Sequence, residues 1–371
     1  MAIDWTISRR GLFHSGVAAF LGGALGFSQR TARANTQFPA LTLMSAARID
    51  GIDGGAALCD EGLCPFALPA RAHALARVSQ SGDVIVVGRR PGKFAAIVDP
   101  ASPQSPSRLF APLDGYRFAG HAAVNGSVLV TSEMDEETAE GIVVLRDMAG
   151  VPRQRFTVGI EPHDVLFARG GDTLVVAVGG IAHAAEIKGP AINAGRIDSF
   201  ILELDPRSGK VLHRHALPAD MKSLSLRHMA LSPDGETVPF GMQDQDRSET
   251  RSVMGLLRLG RGIELLPLPD GDLGALRSYI GSVAVDSSGR YVAATSPKGG
   301  KVGLWSLSDG RWLGGFALPD VCGLAADDAR AGFWATSGYG DIVRLHADDE
   351  GLAAAAQWRA PAAFDNHLLR L

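Results

Sequence analysis

The feature that most limits the architecture of this chain is a recurring unit of strand, turn, polar residue and strand. Phe66-Ala67-Leu68-Pro69 leads to His73, and Phe156-Thr157-Val158-Gly159 leads to His163 at the same separation. Leu109-Phe110-Ala111-Pro112 precedes Gly120-His121, and His215-Ala216-Leu217-Pro218 precedes Arg227-His228. Phe316-Ala317-Leu318-Pro319 precedes Cys322-Gly323, and Trp358-Arg359-Ala360-Pro361 precedes Asn366-His367. The polar residues fall about 42 to 65 positions apart. Between them lie short apolar or alternating runs, such as 83–88, 94–99, 127–131 and 141–145, broken by Gly, Asp and Ser. No long segment beyond the N-terminal region carries a helical period. Four short strands per unit at this spacing specify an all-β protein, a β-propeller, with two stacked sandwiches as the competing arrangement.

Ser232-Pro233-Asp234-Gly235 and Asp286-Ser287-Ser288-Gly289 are equivalent turns after the first strand of a unit. Aligning them sets Ser282 where other units have histidine. Seven units then begin at His73, His121, His163, His228, Ser282, Cys322 or Gly323, and His367. After His367 the chain has room for one strand, whereas residues 41–66 hold about three. N-terminal strands pairing with the C-terminal strand would complete a seventh blade and cover edges that an open array leaves bare. The expectation is a single seven-bladed β-propeller domain over residues 35–371.

The first 34 residues read as an address. Ser8-Arg9-Arg10-Gly11-Leu12-Phe13 has the twin-arginine pattern, an uncharged apolar run follows from Gly16 to Phe27, and Ala32-Arg33-Ala34 offers a small-residue cleavage site. That run is well short of the ~20 residues needed to cross a bilayer. The expectation is a twin-arginine signal peptide over 1–34, a periplasmic product starting at Asn35, and no stable membrane span after cleavage. Twin-arginine export carries folded chains, often with a cofactor already loaded. Net charge is −4 with no long basic run, which argues against a nucleic-acid partner.

In a propeller the first strand of each blade lines the central channel, and these strands run parallel around the axis. Residues that open those strands converge on one mouth, whatever their separation in sequence. His73, His121, His163, His228 and His367 should therefore ring one opening, with Cys322 beside them. Neutral imidazole suits Cu, Zn, Fe and Ni, and a thiolate would favour softer ions. Asp164 and Asp365 are placed to orient imidazoles from behind. Arg71 and Arg227 flank two of the histidines, so the same mouth would also suit an anion or a polar organic ligand. General acid–base work on a lactone is a third use of such residues, and water-bridged scaffolding a fourth. His183, His213, His215 and His346 do not fit the ring and read as surface residues.

No G-x-S-x-G, H-E-x-x-H, C-x-x-C-H or P-loop occurs. Nothing marks a serine hydrolase, a helical zinc protease, covalent haem or a nucleotide site. Cys59 and Cys64 flank a tight Asp60-Glu61-Gly62-Leu63 turn, where a disulfide and two unrelated thiols are both open readings.

At Pro69-Ala70-Arg71-Ala72-His73, Gly120-His121, Glu161-Pro162-His163-Asp164, Leu226-Arg227-His228, Cys322-Gly323 and Asp365-Asn366-His367 the chain resembles the bacterial domain-of-unknown-function 1513 family. The resemblance covers essentially the whole mature chain and the twin-arginine leader. It implies a seven-bladed propeller without an assigned activity. Genes of the family often lie near periplasmic iron-uptake proteins of the imelysin type, which implies a role, and partners, in iron handling. Combined with the histidine ring, the expected function is a periplasmic propeller that binds iron or copper. The alternatives are a metal-free scaffold for a ligand or protein and a hydrolase of the lactonase kind.

Overall fold

Continuous apolar runs such as Thr173–Val178 and Val84–Gly88 form strands that are buried along their whole length. That pattern belongs to a strand covered on both faces rather than to one facing water. A propeller supplies such cover, because every blade is sandwiched between two others. The outermost strands need no such cover: Val211–Ala216, which carries His213 and His215, is mostly exposed. His215 is not the surface residue its sequence position suggests, because its side chain is only 11% exposed and its Nε2 lies 2.7 Å from Oε1 of the buried Glu203.

The computed structural model describes residues 43–371 apart from 60–61, 90–91, 104–105, 183–192, 194–196 and 247–249. The expected signal segment and His183 lie outside the described residues. Seven four-stranded antiparallel sheets make up the fold, with no α-helix among the described residues. The first blade runs outward from Ala72–Arg77 through Val84–Gly88 and Ala95–Val98 to Arg108–Phe110. The inner strands of the second to sixth blades are Tyr116–Asn125, Pro162–Ala168, Leu224–Met229, Ser282–Val285 and Val321–Ala326.

The seventh blade closes the ring as the sequence predicts. Its inner strand is the C-terminal Ala363–Arg370, followed outward by Leu43–Ile49, Ile52–Cys59 and Gly62–Ala67. Leu43 pairs with Arg370 and Arg48 with Ala363. Each inner strand packs against its two neighbours around the axis, including the seventh against the first. Between the blades lie large buried side chains such as Trp305, Tyr291, Phe240 and Phe333, each contributing on the order of 2 kcal/mol by leaving water.

Cys64 is disulfide-bonded, and Cys322 is a free, buried thiol. The side chain of Cys59, the expected partner across the Ile52–Cys59/Gly62–Ala67 hairpin, lies outside the described residues.

Candidate metal centre

The histidines reach the axis by a device that spacing alone does not reveal. In a regular strand alternate side chains enter the two inter-blade faces, and none needs to point along the channel wall. Each ring histidine sits instead on a β-bulge in its inner strand. In the first blade Ala72 pairs with Gly88 and Leu75 with Val86, so His73 and Ala74 oppose one residue. In the second, residues 119–121 oppose Ser132 alone. His163 is the extra residue between the Pro162–Val178 and Asp164–Ala177 pairs. Arg227 and His228 oppose Gly241, and in the seventh blade residues 365–367 oppose Ala46. Cys322 and Gly323 form a similar bulge opposite Thr336. The fifth blade, which has Ser282 in place of histidine, keeps regular register from Ser282 to Val285. A bulge bends its strand and re-aims a side chain, and the five histidine-bearing bulges bring their imidazoles together. The expectation that each histidine opens its strand therefore needs adjustment: His121, His228 and His367 lie well inside theirs.

The five imidazoles form one compact cluster. Neighbouring ring centroids around the axis, His73–His121, His121–His163 and His163–His228, are 5.0, 5.0 and 4.9 Å apart. His228 and His367 approach to 4.8 Å although two blades separate them, because those blades contribute only the small Ser282 and Cys322. The donor atoms of His73, His121 and His163 lie within 4.8 Å of one another, as do those of His121, His228 and His367. His121 belongs to both triads.

Each of the five has one buried ring nitrogen without a hydrogen-bond partner: Nδ1 of His73 and His228, and Nε2 of His121, His163 and His367. A buried polar atom left this way costs about 1–3 kcal/mol. Burial pushes His73, His163, His228 and His367 well below the ordinary imidazole value, and neighbouring positive groups add to the shift. The principal neighbours are His367 for His73 and His228, Arg227 for His163, and His121 for His367. These imidazoles are neutral at pH 7, the form that binds a metal ion.

Two contacts fix tautomers. Asp164 Oδ1 accepts from His121 Nδ1 at 2.9 Å, which selects, for the neutral ring, the tautomer with its proton on Nδ1 and a lone pair on Nε2. Arg227 Nη1 lies 3.0 Å from His163 Nδ1. A guanidinium only donates, so His163 accepts at Nδ1 and carries its proton on Nε2. His121 is thus prepared as a ligand, and His163 is prepared as a donor.

The cluster separates two cavities. A mouth of about 630 Å³ is lined by His73, His163 and His228 together with Arg48, Arg71, Arg89 and Arg227. A smaller channel cavity of about 140 Å³ is lined by His121, His228, His367 and Asp164 together with residues just beyond the bulges, such as Ala122 and Met229. Arg71 Nε donates to Asp365 Oδ2 at 2.7 Å and Arg89 Nη1 to both Asp365 oxygens at 3.2 Å. Asp365 therefore anchors the arginines of the mouth and does not contact an imidazole, whereas Asp164 does.

Cys322 is buried, but it belongs to neither donor triad. Its thiol donates to the Asp320 carbonyl at 3.2 Å, and burial, then the Asp320 charge, pushes it up to about 12. In the native protein Cys322 should resist alkylation at pH 8 that labels it fully in denaturant, and Cys322→Ser should leave metal content unchanged by elemental analysis.

Three charged residues of the site, Arg48, Arg89 and Glu161, have no role that the sequence alone suggests. Arg89 follows the second strand of the first blade. Glu161 is buried, receives Arg227 Nη1 at 2.6 Å through Oε1, and accepts the Ile181 N–H through Oε2. Its φ of 56° is left-handed, a strain of about 1–3 kcal/mol that such sites retain. Gly120 has φ +117°, and a Cβ there would lie 2.7 Å from His73 Cδ2. Gly120→Ala should therefore destabilise the protein by about 1–3 kcal/mol in chemical denaturation, with an unchanged β-sheet circular dichroism spectrum.

The sequence profile of a family described as "Protein of unknown function (DUF1513)" matches residues 66–371. The chain belongs to that family. Among curated proteins none matches it. Solved structures share its fold at low identity. Kuenenia stuttgartiensis hydrazine synthase is 14% identical with a TM-score of 0.61, over 89% of this chain and 99% of that one. The Pseudomonas aeruginosa periplasmic gluconolactonase PpgL is 12% identical with a TM-score of 0.58, again over 89% and 99%. The Myceliophteria thermophila Cps50 (Swd1) β-propeller domain is 13% identical with a TM-score of 0.57, over 84% and 96%. At these identities the likeness is one of fold. This DUF1513 chain has no helix among its described residues long and apolar enough to cross a membrane.

Proposed function

We infer that this chain is a periplasmic metal-binding propeller, exported by the twin-arginine route, that holds a transition-metal ion on its axial histidines. The observation that carries this reading is the set of five buried imidazole nitrogens without partners, gathered in one cluster. Such orphans represent a substantial cost; the His163 nitrogen carries a proton, but an ion that accepts lone pairs from three of the others removes their share of it. The triad best suited is His121, His228 and His367. Asp164 already holds His121 in the ligating tautomer, and the other two nitrogens are neutral and unpartnered. His163 is poorly suited while Arg227 occupies its Nδ1.

Three imidazoles leave an exchangeable position on most first-row ions. Neutral nitrogen donors suit copper and iron among others, and the gene neighbourhood implied by the family resemblance favours iron handling. Elemental analysis of protein recovered after native export should find about one transition-metal ion per chain, removable by a strong chelator. Metal-free protein of full thermal stability would reject the reading. Lactone turnover that survives chelation would replace it with a hydrolase on the same fold.

A further inference from the structure

The mouth above the histidines has a chemistry of its own. Four guanidiniums line it, from Arg48, Arg71, Arg89 and Arg227. Three carboxylates answer them: Asp53 binds Arg48, Asp365 binds Arg71 and Arg89, and Glu161 binds Arg227. The balance of the wall is therefore positive by one charge. The two inner carboxylates are also held from behind, Asp365 by the Asn366 N–H and Glu161 by the Ile181 N–H, so they do not swing out to neutralise a partner.

The arginines have donors to spare. A guanidinium carries five N–H bonds; Arg71 is held through Nε and Arg89 through Nη1, and their side chains are 49% and 37% exposed. Arg227 is 7% exposed, and its buried Nε has no partner. Position adds a size requirement. Arg71, Arg89 and Arg48 belong to the first and seventh blades, whereas Arg227 sits in the fourth, across the axis. A compact ion would meet one side of a 630 Å³ cavity, whereas an elongated molecule charged at both ends meets both. Guanidinium forks match carboxylates in two-point contact, and Gln243, Tyr279 and Asn366 supply neutral polar groups to the same lining.

We propose that the mouth cavity binds a small organic di- or tricarboxylate, whose carboxylates bridge the Arg71–Arg89 side to Arg227. The proposal stands whether or not the ring holds a metal ion, so metal-free protein is the material for its test.

Isothermal titration of metal-free protein with tricarballylate should give saturable binding at least tenfold tighter than acetate or inorganic phosphate. Its affinity should fall as ionic strength rises. The Arg71→Gln/Arg89→Gln variant should bind about tenfold or more weakly, the scale of losing charge-assisted hydrogen bonds. Because that variant leaves Asp365 without its arginines, the half-exposed Arg48 provides a second arm. Arg48→Glu should weaken tricarballylate while the protein keeps the circular dichroism spectrum of the folded propeller, the melting temperature falling only slightly because the lost Arg48–Asp53 pair is exposed. No saturable binding, phosphate binding as tightly as tricarballylate, or full affinity in Arg48→Glu would each overturn the proposal. None of these results bears on metal content, which is measured separately.

Discussion

His121→Ala is expected to abolish metal retention, with affinity falling by more than about a hundredfold. Loss of a residue that merely orients a ligand costs ten- to a hundredfold, and His121 is proposed as a ligand itself. It is also the residue common to both donor triads, so among the described residues neither set of three survives its removal. His163→Ala is the informative contrast. Arg227 donates to His163 Nδ1, the ring proton is then on Nε2, and the imidazole offers the ion no lone pair. Its removal should leave metal content intact. Competition against a chromophoric chelator, alongside elemental analysis, measures both variants on one scale. If His163→Ala loses metal as completely as His121→Ala, the mouth-side triad holds the ion and the tautomer assignment is wrong. If neither variant changes the metal content, the ring is not the site.

The blades were legible because their signals are local. Pro- and Gly-marked turns, apolar runs and a steady period can be read one segment at a time, and closure by Ala363–Arg370 followed from counting strands at the two ends. The gathering of five histidines followed from the same count. The aim of each side chain did not. A bulge is a property of two strands in register, and nothing in Ala119-Gly120-His121 announces that three residues will face Ser132 alone. Cys322 shows the consequence. It occupies a bulge equivalent to those of the histidines, yet its thiol donates to the Asp320 carbonyl.

Long-range polar pairs were equally hidden. Asp164 and Asp365 each stand beside a ring histidine in sequence, but one orients an imidazole and the other gathers arginines. The difference lies in contacts made across blades. Arg89 lies just past the apolar run 83–88 in sequence, and only the fold brings it to a carboxylate 276 positions away. Glu161 precedes a proline, a position biased toward extended backbone, and its left-handed φ gave no sequence signal.

Asp164→Asn is expected to weaken metal binding by about ten- to a hundredfold and to destabilise the fold by about 1–3 kcal/mol. Both effects come from one missing acceptor. Asp164 Oδ1 accepts from His121 Nδ1 and from the Val165 N–H, and Oδ2 accepts from Met229 N at 2.8 Å. The single carboxylate thus ties the second, third and fourth inner strands together at the level of the ring. An asparagine of the same size can present oxygen on one side only. With its oxygen toward His121, the amide NH2 meets the Met229 N–H donor, and a buried backbone group is left unpaired. With its oxygen toward Met229, the NH2 meets His121, the imidazole proton shifts to Nε2, and the lone pair that faced the ring is lost. The two orientations divide the penalty between stability and affinity, so chemical denaturation and chelator competition must both be read. Asp164→Ala should lose on both counts at once. Wild-type metal affinity in Asp164→Asn would mean that the carboxylate's role is to join strands, and that His121 finds its tautomer without it.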